Sequence, residues 1–225
     1  MGTFPLPGES PELLGHPRLT EQTLRAFRTY INKTDEKNGK CLASGNFLWI
    51  DDQERRARAA AYERLKHGEV LLERIKNAGA STEIPGGVIH DWEGAVFIPG
   101  ANLAEVLGIL QDYNLEPTYF APDVEQARIE EHHGDNFRVF LRFRRVKIIT
   151  VVLNTEQDIA YFHDSPTRAH SRSSAIRIAE VENPGTKSEK ELPPGQDSGF
   201  LWRMETWWRV EEIVLRRRPE RFACP

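Results

Sequence analysis

Four arginines, Arg142, Arg172, Arg177 and Arg203, recur on separate segments whose residue pattern is extended. A guanidinium presents a planar fork of donors that fits a carboxylate or phosphate bidentately. Two of them on one face would grip an acidic headgroup. The competing reading is a solvated basic face paired with Glu156, Glu180 and Glu205. Trp92, Trp202, Trp207 and Trp208 add large amphipathic rings, suited to lining a lipid or polycyclic ligand and equally to filling a core. Asp91 and Glu93 fall on one side of a strand about 7 Å apart, a spacing at which two carboxylates can act as acid and base, or simply form a wet face. His132 and His133 are adjacent on a strand and point to opposite faces, so they cannot chelate together; with His163 they read as turn histidines, and no metal site is expected. The sequence contains no Gly-rich phosphate loop, no Ser-His-Asp signature and no Cys-x-x-Cys, so no cofactor is expected either.

Composition narrows the classes. The chain has 225 residues, 39% hydrophobic and 28% charged, with a formal net charge of −4. That describes one ordinary globular domain with a core of its own and no global basic field, so nucleic acid is not an expected partner. No run of about 18 apolar residues occurs, so no membrane span is expected. Met1 to Pro17 contains four prolines and lacks the apolar run of a signal peptide. As written the chain reads as cytoplasmic, or as exported if a leader was omitted ahead of Met1. Cys41 and Cys224 lie near opposite ends, and a lone distant pair leaves two free thiols or one disulfide open.

The elements that must position these residues follow in order. Residues 1–18 read as a disordered leader, because Pro5, Pro7, Pro11 and Pro17 block helix. Residues 19–68 read as an N-terminal helical segment. Thr20 caps a helix over about 20–35 with Leu24, Phe27, Tyr30 and Ile31 at helical spacing, and Asp35 to Gly45 reads as a polar connection. Phe47-Leu48-Trp49-Ile50 is an apolar knot, and a second helix ends near Gly68. Its Arg55, Arg56, Arg58 and Arg64 read as a solvated face balanced by Glu54 and Glu63. From Glu69 the period turns extended: a strand near 70–75, a turn at Asn77-Ala78-Gly79, and a strand at 87–98. Asn102 caps a helix to Tyr113 with Leu103, Val106, Leu107 and Leu110 on one stripe.

Pro117 and Pro122 bracket an aromatic loop at Tyr119-Phe120. Strands are expected at 123–131, 136–145, 147–161 and 166–181, with turns at Gly134-Asp135 and at His163 to Pro166. Phe137, Val139, Leu141 and Phe143 alternate with Arg138, Arg142 and Arg144, which gives one apolar and one basic face. Ile148, Ile149, Val151, Val152 and Leu153 are apolar on both faces, so that strand should be central and covered on both sides. Residues 183–198 read as a mobile loop, 199–213 as a last strand, and 216–225 as an irregular tail.

Val96-Phe97-Ile98-Pro99-Gly100-Ala101, followed by Val106-Leu107-Gly108-Ile109-Leu110-Gln111-Asp112-Tyr113 and a run of strands, resembles the helix-grip architecture of the START and polyketide-cyclase-like (SRPBCC) superfamily. Thr150 to Glu156, Arg177 to Glu182 and Glu191 to Gly195 resemble more specifically an acidobacterial-type group within it, which brings no established substrate. The resemblance covers about residues 20–212. It implies a curved antiparallel sheet wrapped around a cavity for an apolar or amphipathic molecule. After Glu212, where that superfamily has a further strand and a long closing helix, this chain has Ile213-Val214-Leu215, three arginines and a short tail. The end therefore reads as truncated or altered.

The resulting expectation is an α+β fold: a curved antiparallel sheet with one internal helix, an incomplete helix-grip over 69–215, preceded by the N-terminal helical segment. The expected function is non-catalytic binding of a hydrophobic or amphipathic, lipid-like small molecule between sheet and helix, with Trp92, Tyr119, Arg142, Arg172, Trp202 and Arg203 as contacts. The alternatives are a cyclase- or hydrolase-like enzyme using the same cavity, and an interaction protein that self-associates through its C-terminal edge strand.

Overall fold

The computed structural model describes residues 18–75, 82–146 and 150–213. The expected leader (Arg18 apart), the turn at Asn77-Ala78-Gly79, Ile148 and Ile149, the tail at 216–225 and any pairing of Cys224 lie outside the described residues.

Helix α1 spans Glu21–Ser44, capped by Thr20, whose hydroxyl accepts from the Thr23 amide at 3.1 Å. It runs about two turns beyond the helix the periodicity predicts. No proline interrupts Asp35 to Ser44, and Gly45 ends the helix with the left-handed backbone (φ 83°) that glycine adopts without strain. Phe47 and Ile50 are almost fully buried. Ile50 sits in a short 3-10 turn, Trp49–Asp52, and packs with Ala61 and Leu65 of α2 (Arg55–Lys66) and with Leu71. Leu71 opens β1 (Leu71–Arg74), which pairs antiparallel with β4 (Trp92–Ala95). A separate hairpin joins β2 (Thr82–Ile84) to β3 (Gly87–Ile89), so the single strand expected at 87–98 is two strands with different partners.

Helix α3 (Leu103–Gln111) has a complete capping box: Asn102 Oδ1 accepts from the Glu105 amide, and Glu105 accepts from the Asn102 amide. A 3-10 turn, Tyr113–Leu115, then leads into the one-turn helix α4 (Glu116–Tyr119) where a loop was expected; Pro117 near its start suits a first turn, whose amides need no helical partner.

The main sheet comprises β5 (Val124–His133), β6 (Asn136–Val146), β7 (Thr150–Ser165), β8 (Arg168–Glu182) and β10 (Glu205–Glu211), in the order β10-β8-β7-β6-β5. A two-residue strand, β9 (Lys190–Glu191), adds to the far end of β8. All pairings are antiparallel and β7 is central, as expected, but it is not covered on both faces, since its outer face carries Glu156 and Asp158 and leaves Phe162 half-exposed. The sheet is strongly curled into a half-barrel, and the molecule is the α+β fold expected from the sequence. The last strand is shorter than predicted, because Phe200 and Trp202 belong to the irregular approach to it.

The inner face of the half-barrel carries the odd positions of β6 and β7. Phe137, Val139, Leu141, Ile159 and Tyr161 pack beneath Leu103 and Leu107 of α3. Next to this apolar cluster lies a row of short polar residues. Thr155 donates to the Leu141 carbonyl, Gln157 donates to Thr155, and Ser173 donates to Gln157. Thr155, Gln157, Ser171 and Ser173 are all buried. Short side chains at central positions let the strands bend toward this face, and the polar groups of Thr155, Gln157 and Ser173 are linked in a chain that ends on the Leu141 carbonyl. The outer face carries charge, and α1 lies across it: Asp35 takes both Arg172 and the Trp207 indole, while Asn38 accepts from Arg209. Among the described residues no helix is long and apolar enough to cross a membrane.

Candidate ligand-binding groove

The outer face is built on a repeated motif of one strand guanidinium held by two carboxylates. Arg138 takes Asp158 bidentately at 2.8 and 3.1 Å and Glu131 at 3.4 Å. Arg172 takes Asp35 at 3.1 Å and Glu205 at 3.3 Å. Arg142, almost wholly buried, pairs with Glu125 at 2.9 Å and with both oxygens of Glu189 at 3.0 Å. Arg177 joins Glu156 at 3.2 Å and also bonds Glu191. Cross-strand register explains the pattern: Arg138 is opposite Asp158, Arg177 opposite Glu156, and Ser174 beside Arg172 opposite Glu205. The Arg144 and Arg142 guanidiniums beside Glu125 hold its carboxyl below the usual range. Glu189 is lowered in the same direction by the Gly185 amide and by Arg142. Burial, by contrast, pushes the Glu205 carboxyl up.

Two clefts open on this face. One, of about 680 Å³, lies among Pro122, Glu125, Arg142, Arg144, Gly185 and Glu189, under the strap formed by residues 183–191. The other, of about 510 Å³, has the better apolar surface. Ala160, Phe162 and Ile176 line it, and Phe162 and Ile176 remain 48% and 46% exposed. Arg138, Asp158 and Ser174 lie across it on one rung of the sheet, and Ala160 and Arg172 on the next. Ile176 reaches the groove because of a bulge. Glu156 pairs with Arg177 and Gln157 with Ala175, which leaves Ile176 unpaired between them and re-aims its side chain. Phe162 is fixed by stacking on His170 at 4.7 Å, and His170 contacts Asp164 at 2.7 Å.

The residues singled out from sequence take separate places. Arg172 lines the apolar groove and Arg142 the strapped cleft; neither cleft includes Trp92, Tyr119, Trp202 or Arg203. Trp92 lies half-exposed on β4 with the Arg74 guanidinium 5.7 Å from its ring centre. Tyr119 ends α4, half-exposed. The Trp202 indole donates to Asp197 at 2.7 Å, and exposed Arg203 donates to the Trp202 carbonyl. Asp91 accepts from Tyr30 and Glu93 pairs with Lys37, so both carboxylates face α1, partly buried, and the exposed side of the strand is that of Trp92. His132 stacks on Phe137, and no metal-binding cluster occurs among the described residues. Phe162, Ile176 and Asp158 were missed by sequence reasoning. Only the break in alternation at Ala175-Ile176-Arg177-Ile178 hinted at the bulge.

No family model, curated protein or solved structure matches the chain.

Proposed function

We propose that this chain is a non-catalytic binder of a hydrophobic or amphipathic, lipid-like small molecule, held in the 510 Å³ groove on the outer face of the sheet. The observation that carries the reading is the pair Phe162 and Ile176: large apolar side chains left half-exposed in a recess of ligand size, walled by fixed ion pairs. Beneath α3, where the helix-grip resemblance implies a cavity, Leu103 and Leu107 lie directly on Phe137, Val139 and Tyr161, so the outer recess is the favoured seat. A catalytic reading requires Asp91 or Glu93 beside an arginine, and the partners of those carboxylates are Tyr30 and Lys37. The test is titration with N-phenylnaphthylamine, a neutral apolar fluorophore. Saturable, stoichiometric binding is expected, weakened about tenfold or more in Phe162→Ser, which removes a side chain worth about 1.5–3 kcal/mol when covered. Absence of saturable binding by the folded protein would sink the reading.

A second reading is self-association through β10. The Met204 carbonyl and the Glu212 amide both turn toward β8. Alternation therefore turns the backbone groups of Glu205, Trp207, Arg209 and Glu211 away from β8, on a strand whose one sheet neighbour among the described residues is β8. Light scattering behind a sizing column tests this, and a constant monomer mass across a wide concentration range would count against it.

A further inference from the structure

The charges around the Phe162–Ile176 groove are not balanced, and the imbalance bears on the head of any ligand seated there. Two guanidiniums line it, Arg138 and Arg172. Four carboxylates surround them: Asp158 and Glu131 on Arg138, Asp35 and Glu205 on Arg172. Each arginine therefore already has more negative charge than it can neutralise. Its donors are largely engaged as well, since Arg172 also donates to Ser174. An acidic headgroup would have to displace an existing carboxylate and then sit beside it. Like charges at that range repel, while the arginine gains nothing it did not have.

From this we infer that the groove takes a cationic amphiphile: a free long-chain amine whose alkyl body runs over Ala160 to Phe162 and whose ammonium meets Glu131 and Asp158 at the other end, beside Ile176. The proposal rests on the groove being a ligand site, as set out above, and adds the class of ligand. The two acids differ in what holds them. The Glu131 side chain is 56% exposed and only 3.4 Å from Arg138, with lone pairs to spare, whereas Asp158 faces Arg138 bidentately. Glu131 is accordingly the primary ammonium acceptor and Asp158 the secondary one. An ammonium is a point charge with three rotatable donors and needs no planar fork to satisfy it.

The experiment displaces bound N-phenylnaphthylamine with dodecylamine, dodecanol and dodecanoate, each below its micelle-forming concentration, at low salt. Dodecylamine should displace up to about fivefold more strongly than the alcohol, the scale of one partly exposed ion pair, and the acid should displace least because it meets a repulsive contact. The gap between amine and alcohol should shrink in about 1 M salt, where the screening length falls to roughly 3 Å. Glu131→Gln, a surface change, should bring the amine down toward the alcohol and leave the alcohol unchanged. Equal displacement by all three, or strongest displacement by the acid, overturns the cationic assignment while leaving the groove in place. Failure of the fluorophore to bind at all overturns both. An amine preference that survives Glu131→Gln and the Glu131→Gln/Asp158→Asn pair also overturns it, with circular dichroism confirming that both variants are folded.

Discussion

Glu116 opens α4 beside two buried phenols, Tyr113 and Tyr161, which bond each other at 2.7 Å while Tyr161 donates on to the Leu110 carbonyl. Burial pushes the Glu116 carboxyl from its ordinary 4.5 up to about 7. The folded protein therefore holds a proton that the unfolded chain has released, and stability falls as pH rises from about 4.5 to about 7, then levels. Glu116 is half-buried, so water screens part of the penalty. Urea titrations of Glu116→Gln should show a gain of about 1–2 kcal/mol at pH 8 and a flatter profile between pH 5 and 7. Arg142 behaves in the opposite way, because its partners need it. Arg142→Met leaves Glu189 and Asn154 without their guanidinium, while Glu125 keeps Arg144. A loss of about 2 kcal/mol is expected, below the cost of a fully buried pair because the glutamates keep some water. Limited proteolysis should then cut faster within residues 183–198.

At the scale of elements, what could be read from sequence was what hydropathy encodes. Phe137, Val139, Leu141 and Phe143 announced β6 and its apolar face, and Gly134 announced the turn before it, with φ 58°. The second half of α1 escaped because its contacts are polar: Asp35 and Asn38 dock on Arg172, Trp207 and Arg209, and a hydrophobic period is blind to such bonds. The groove escaped for another reason. It depends on a one-residue slip between β7 and β8 that places Ile176 outward, and no single strand's pattern fixes a cross-strand register. Of the partners offered for the arginines, Glu156 does hold Arg177 and Glu205 holds Arg172, whereas Glu180 accepts from Ser198; Glu131, Glu189 and Asp35 escaped because they come from three other parts of the chain. Asp35→Ala should weaken the docking of α1 by about 1–2 kcal/mol, because it strips both the Arg172 fork and the Trp207 indole of an acceptor. Hydrogen exchange should localise the change to α1 and β10.

Across the whole molecule, α1 is the strut between two blocks. Tyr30 and Lys37 hold the β1–β4 ribbon through Asp91 and Glu93, and Asp35 and Asn38 hold the half-barrel. The half-barrel owes its bend to the small residues on its inner face, with Thr155, Ser171, Ser173 and Ala175 at buried positions of the two middle strands. The bend is therefore stored in side-chain size. A leucine grafted at Ser173 would act as a wedge, prising β7 and β8 apart on the inside and spreading the arch into a shallower plate. Small-angle scattering would register the longer maximum dimension, and the recess around Phe162 on the far surface would change width with it.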